Sequence, residues 1–148
     1  MTTTQTIVLE LLYEQDETAW LEAMATLAAD GRLSELDTVN LAEYLADTAK
    51  RDRREVFSRI VVLMTHLLKW EDQPDRRGGS CRGTIREQRR ELGQMLESRT
   101  LRNHAMAVFG DAFAEARRQA ADETELEIAV FPIDNPWELN QVLGEIQE

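Results

Sequence analysis

From Val56 to Trp70 apolar side chains recur on more than one helical face. Phe57, Ile60, Val61, Met64, Leu67 and Leu68 run along one, with Val56, Leu63 and Trp70 beside it. Spacings of three and four residues bring side chains to one flank of an α-helix, and a helix apolar over so wide an arc belongs at the centre of a bundle. Narrower stripes flank it. Asp16 reads as an N-cap, after which Trp20, Ala23, Met24, Leu27 and Ala28 share a face until Gly31 closes the helix. Asp37 caps a second stretch whose Leu41, Ala42 and Leu45 face inward. The stretch "KRDRRE" separates this helix from the central one or kinks it; Asp52 with Glu55 three residues later fits a capping box, so a new start is expected there. Pro74 and Gly78-Gly79 break the central helix.

Ser80 or Thr84 opens the next helix, with Ile85, Gln88/Arg89, Leu92 and Met95/Leu96 on its stripe. Another runs from about Leu101 to Asp122. Leu126 to Phe131 reads as a short extended or single-turn piece, and Asn135-Pro136 as the cap and first position of a short last helix. Apolar–polar alternation is nearly absent, so strands are not expected. The expected fold is a single all-α domain, residues 1–148, a bundle of five or six helices around residues 53–71. Residues 1–6 form a mobile tail, and 124–148 a C-terminal extension packing on the bundle.

Composition agrees with helices. The 148 residues include only 3 prolines and 7 glycines, and 43% are hydrophobic, enough for a core. Cys81 is the single cysteine, so no intrachain disulfide forms. No Lys or Arg precedes the short apolar run near the N-terminus, unlike a signal peptide, and the longest nearly uncharged apolar stretch, 60–68, is far short of the ~20 residues that span a bilayer. A cytoplasmic protein is expected.

Charge changes the picture more. Residues 1–49 carry ten acids and one Arg, net −9; residues 50–90 carry twelve Lys/Arg and six acids, net +6; residues 91–148 carry twelve acids and four Arg, net −8. A total of −11 argues against a general nucleic-acid coat, but not against a local basic site. That site is Arg76, Arg77, Arg82, Arg86 and Arg90, with Glu87 the one acid between them. Glycines let this backbone approach a phosphate, and the N-terminus of the following helix favours an anion. The segment lacks P-loop spacing, and no aromatics interleave the arginines for base stacking. The alternative is a solvated loop that docks on acidic surfaces.

Other chemistry is sparser. His66 and Trp70 lie on one flank with Arg59, which makes His66 a candidate proton carrier or ligand-holding imidazole beside an aromatic, or a core-edge histidine bonded to a carbonyl or carboxylate. Gln88 and Arg89 stand on an apolar stripe and must find partners, because an unpaired buried amide or guanidinium costs several kcal/mol. Asp37, Asn40, Glu43, Arg59, Gln88 and Arg89 are expected to form one polar network, a device for helix register or a small polar pocket. Neither histidine has the partners of a metal site, and no cofactor is implied. Cys81, among arginines near a helix start, is a candidate for a depressed pKa.

Four segments in order, "YEQD…AWL", "GRLSELDTVNLAE", "RREVFSRIVVLMTHLLKWEDQP" and "TIREQRREL", resemble an uncharacterised bacterial, largely cyanobacterial family, domain of unknown function twenty-nine. The resemblance covers about Tyr13 to Leu101 and implies a small helical protein with no assigned activity. It matches the family pattern at Tyr13, Asp16, Trp20, Leu36, Asp37, Asn40, Leu41, Glu43, Arg54, Glu55, Arg59, His66, Lys69, Trp70, Pro74, Thr84, Gln88 and Arg89. The chain departs at Cys81, where the pattern has Trp, and at Glu17, Thr18 and Asp72, where it has aromatics. If those aromatics line a ligand surface, this member has altered it.

Three functional classes follow in order. First is a non-catalytic module that binds a protein partner or another copy of itself. Second is binding of an anionic ligand or nucleic acid through residues 76–90. Third is a small enzyme using His66 or the Asp37/Glu43 carboxylates; no catalytic residue is assigned.

Overall fold

The computed structural model describes residues 3–144; residues 1, 2 and 145–148, and the side chains of residues 3, 4 and 76, lie outside the described residues. All regular structure among the described residues is helical. In chain order the α-helices are α1 (Thr3–Gln15), α2 (Glu17–Ala29), α3 (Thr38–Asp72), α4 (Gly79–Met95), α5 (Arg99–Thr124) and α6 (Leu139–Val142). Single 3-10 turns lie at Leu33–Glu35, Pro74–Arg76 and Ile128–Val130. The all-α expectation and the long central helix both hold. The chain divides into two compact units, Met1–Lys50 and Arg51–Glu148.

In the first unit Asp16 caps α2, its side chain accepting the Ala19 N–H at 3.2 Å. Gly31, at φ +72°, ends it. There the Gly31 N–H bonds the Ala28 carbonyl and the Arg32 N–H bonds that of Leu27, satisfying carbonyls the last turn leaves open. A side chain at Gly31 would be strained by that φ. Trp20 and Met24 are the buried apolar residues of α2. Residues 1 and 2 of the expected tail lie outside the described residues, and 3–6 are helical, part of α1, because nothing between Thr3 and Leu12 breaks a helix. Leu45 does not face inward; it is 59% exposed.

The expected break at "KRDRRE" is also absent: α3 runs without interruption for 35 residues, about 52 Å at the α-helical rise. The stretch contains neither Gly nor Pro, and Arg51, Asp52 and Arg54 are exposed, so each keeps water while staying helical. Glu55 does not reach back to cap a new start. It pairs forward with Arg59, one turn on, at 2.9 Å.

The second unit holds the main core. Val56, Ile60, Leu63, Met64 and Leu68 of α3 have no exposed surface, each contributing roughly 1.5–3 kcal/mol by leaving water. Around them pack Ile85, Leu92 and Leu96 from α4 and its end, and Ala105, Ala112, Phe113, Ala116 and Ala120 from α5. The alanines of α5 keep that helix face thin. Ser98 caps α5, accepting from the Leu101 N–H. Thr65, fully buried, donates to the Val61 carbonyl at 2.7 Å, so its hydroxyl adds no unmet polar group.

Phe131, Trp137, Leu139, Val142 and Leu143 join the same core. Ile128–Val130 is a single turn, one of the two forms expected. The last helix starts later than the Asn135-Pro136 signal suggested. Asn135 instead accepts the Trp137 N–H at 3.0 Å, a local Asx turn, and Glu138 caps α6 with Gln141 completing a capping box. No helix among the described residues is long and apolar enough to cross a membrane.

Candidate functional site

Proline 74 and the Gly78-Gly79 pair turn the chain from α3 into α4, and this turn folds the basic segment back over Trp70. The Arg77 Nε–H donates to the Trp70 carbonyl. The Arg77 and Arg82 guanidinium carbons stand 5.1 Å and 5.7 Å from the centroid of the Trp70 ring, both within cation–π range. A cleft of about 470 Å³ opens there, lined by Trp70, Glu71, Arg77, Arg82, Arg89 and Trp137, with Leu67, Ile85 and Gln141. Arg89 is half-buried, and its Nε–H donates to the Val142 carbonyl at 3.0 Å.

Gly144, at φ +75°, passes so close that a Cβ there would stand 3.2 Å from Arg89 Cδ and Nε. The C-terminal segment thus holds this guanidinium by a carbonyl on one side and a glycine on the other.

Arginines of the basic segment therefore divide. Arg77 and Arg82 enter the cleft. Arg86 is exposed on α4, Arg90 pairs with Glu91 at 2.9 Å, and the Arg76 side chain lies outside the described residues. Arg89, read from sequence as part of a different network, lines the cleft instead. Aromatics do accompany the arginines, from outside the segment: Trp70 precedes it, and Trp137 comes from the C-terminal region.

The six residues expected to share one network separate into local sets. Asp37, 8% exposed, accepts from Trp20 Nε1 at 3.1 Å and from Asn40 Nδ2 at 2.8 Å. Glu43 accepts the Tyr13 hydroxyl at 3.4 Å. In the second unit Arg59 donates to Glu55 and, at 3.1 Å, to Gln88. Arg89 goes to Val142. The physical reason is helix geometry: partners three or four residues away, or on the helix alongside, satisfy each group. Asp37, expected as an N-cap, closes a buried bond to an indole whose ring also packs against Tyr13 and Tyr44, at 4.6 Å and 5.8 Å between centroids.

His66 is half-buried and its Nδ1 atom, buried, has no hydrogen-bond partner among the described residues. Burial pushes its pKa below the ordinary value, Lys69 adds to that, and Glu123 opposes it. Lys69 pairs with Glu123 at 3.0 Å. The His66 carbonyl faces the Cys81 thiol, with a sulfur–oxygen distance of 3.6 Å. Burial raises the Cys81 pKa, against the expected depression, because desolvation outweighs the opposing charge of Lys69.

A second concave feature belongs wholly to the first unit. Val8, Leu9, Ala23, Thr26 and Leu27 line a groove of about 490 Å³ between α1 and α2, with Gln5, Glu22, Arg32 and Glu35 at its rim. Ile7, Val8 and Leu11 on α1 are about half exposed beside it.

Sequence reasoning missed Trp137 and Gln141 as cleft residues, Gly144 as the neighbour of Arg89, and Trp20 as the partner of Asp37. A large aromatic after Asn-Pro in a polar tail was the available signal for Trp137. Nothing local marked Gly144, whose role depends on a side chain 55 residues earlier.

No curated protein and no solved structure matches the chain. The family model described as "Domain of unknown function DUF29" matches residues 12–146, across both units. That match extends beyond the motifs read from sequence to include Trp137 and Gly144, and on it the chain belongs to that family.

Proposed function

We propose that the chain is a cytoplasmic, non-catalytic protein-interaction module whose partner presents a basic amphipathic helix to the groove between α1 and α2. One observation carries this reading: an apolar groove occurs in the unit of greatest negative charge. Residues 1–50 hold ten acids against Arg32 and Lys50, net −8. A helix laid in such a groove would set apolar anchors at i, i+3/i+4 and i+7 against Val8, Leu9, Ala23 and Leu27, while its cations meet the acidic surround. Burying, among the described residues, Trp20 and Met24 as its large apolar side chains, a 50-residue unit is marginal by itself and gains from a partner's apolar surface. An enzymatic role has less support, since Asp37 is engaged by Trp20 and Asn40 and His66 lies in the other unit.

A fluorescent basic amphipathic peptide, and a second peptide with the same apolar face but acidic flanks, test the reading by anisotropy. The basic peptide is expected to bind and the acidic one to fail. Val8→Asp, exposed and therefore tolerated by the fold, should abolish binding. Equal affinity for both peptides, or an unaffected Val8→Asp variant, overturns the proposal. So does light scattering that shows a stable dimer which Val8→Asp dissociates, for then another copy occupies the groove.

A further inference from the structure

We propose that the cleft between Trp70, α4 and Trp137 binds a small organic phosphate, a phosphate monoester of nucleotide size or less. Three guanidinium groups, those of Arg77, Arg82 and Arg89, line one cleft of about 470 Å³, within the range of small-molecule sites. Among the described residues none of the three forms an ion pair, although the chain carries 28 acids against 17 Lys and Arg. Among the described residues that line the cleft, Glu71 is the one carboxylate. Gathering like charges costs free energy that a bound anion removes.

The arginines are also oriented. Arg77 and Arg89 each spend Nε on a backbone carbonyl, at Trp70 and Val142, which fixes the guanidinium plane and leaves the terminal N–H groups to point elsewhere. Arg77 and Arg82 share the Trp70 ring, and Gly144 abuts Arg89. Held forks of this kind suit the paired oxygens of a phosphate better than a flexible ammonium would. Leu67, Ile85 and the Trp137 indole supply apolar wall for the organic part. Gln141 adds an amide beside Arg89 and Trp137.

A macromolecular phosphate backbone fits less well. Positive charge converges into a cleft rather than forming a strip: Arg90 is paired with Glu91 and Arg86 stands apart on the exposed side of α4.

Titration calorimetry and tryptophan fluorescence on the full chain, at low and moderate salt, test the site with four probes. These are phenyl phosphate, adenosine monophosphate, adenosine, and a short single-stranded oligonucleotide. Phenyl phosphate or the nucleotide is expected to bind and to alter Trp emission, with adenosine silent. Arg82→Gln and Arg77→Gln, both at exposed positions and checked for unchanged circular dichroism, should each weaken binding about tenfold or more. Arg82→Lys should fall between, keeping charge but losing the fork.

Four outcomes overturn the inference: no binding of either phosphate, adenosine binding as well as the nucleotide, indifference to both Gln variants, or an oligonucleotide that binds far more tightly with a steep loss in salt. The groove of the first unit plays no part in these measurements, so either proposal can fail while the other stands.

Discussion

Among the described residues, the unit 1–50 buries the apolar side chains Trp20 and Met24, whereas the unit from Arg51 onward buries nineteen in one cluster. The smaller unit leaves Ile7, Val8, Leu11, Leu33, Val39 and Leu45 exposed. Its most specific contact is polar: the Trp20–Asp37 bond, flanked by two tyrosine rings. The larger unit is held by packing around α3, with polar groups such as Thr65 merely satisfied in place. One family fold thus combines a unit specified by a single buried hydrogen bond with one specified by volume, and each exposes the chemistry its core does not use. The first exposes an apolar groove, the second a cluster of guanidinium groups.

The comparison is sharpest where the larger core is cut. Leu63→Ala should destabilise the protein by about 2–5 kcal/mol, read from urea unfolding, since Leu63 has no exposed surface and its neighbours come from several helices. Loss of less than about 1 kcal/mol would mean that volume does not specify this unit. Next comes Asp37→Ala, which leaves the buried Trp20 indole N–H without its acceptor. About 1–3 kcal/mol should be lost, with a change in tryptophan emission assigned to Trp20 by a Trp20→Phe control. If Asp37→Ala proves neutral, the smaller unit is held by its aromatic rings alone.

Gly144→Ala should cost about 1–2 kcal/mol, through its positive φ and its approach to Arg89, and should change the environment of Trp137 in one-dimensional indole spectra. The smallest effect is electrostatic. The folded pKa of His66 lies below the ordinary 6.5, so the unfolded chain holds this proton more tightly. Its contribution is complete above about 6.5 and declines as pH falls from there toward the depressed folded value. His66→Gln should flatten the slope of stability against pH in that window; an unchanged slope would remove His66 from the balance.

Much of this architecture was readable beforehand where a single local rule governed. Period-three-and-four apolar stripes located α2, α4, α5 and the buried half of α3, and Asp16 and Gly31 marked the ends of α2. Local rules misled where two of them competed. Asp52 and Glu55 have capping-box spacing, yet a helix already propagating through charged, Gly- and Pro-free sequence gains nothing by stopping. Asn135-Pro136 has the form of a helix start, but Asn135 satisfies the Trp137 N–H in a turn and leaves Glu138 to begin α6. The sites were less legible for a different reason. Guanidinium content pointed to residues 76–90, but which arginines converge depends on Trp70, Trp137 and Gly144, and the last two lie far from the arginines in sequence. The apolar groove carried no sequence mark, because Val8, Leu9 and Leu27 read equally well as core.

The cleft also joins distant parts of the chain. Trp70 and Trp137 are 67 positions apart, and Arg89 meets the carbonyl of Val142 across 53. An occupant touching both walls would act as a removable staple over that long loop. It would favour the closed C-terminal segment by mass action and slow its detachment. Protection of residues 131–144 from protease would then rise and fall with the concentration of the molecule held, turning a passive segment into a readout of occupancy.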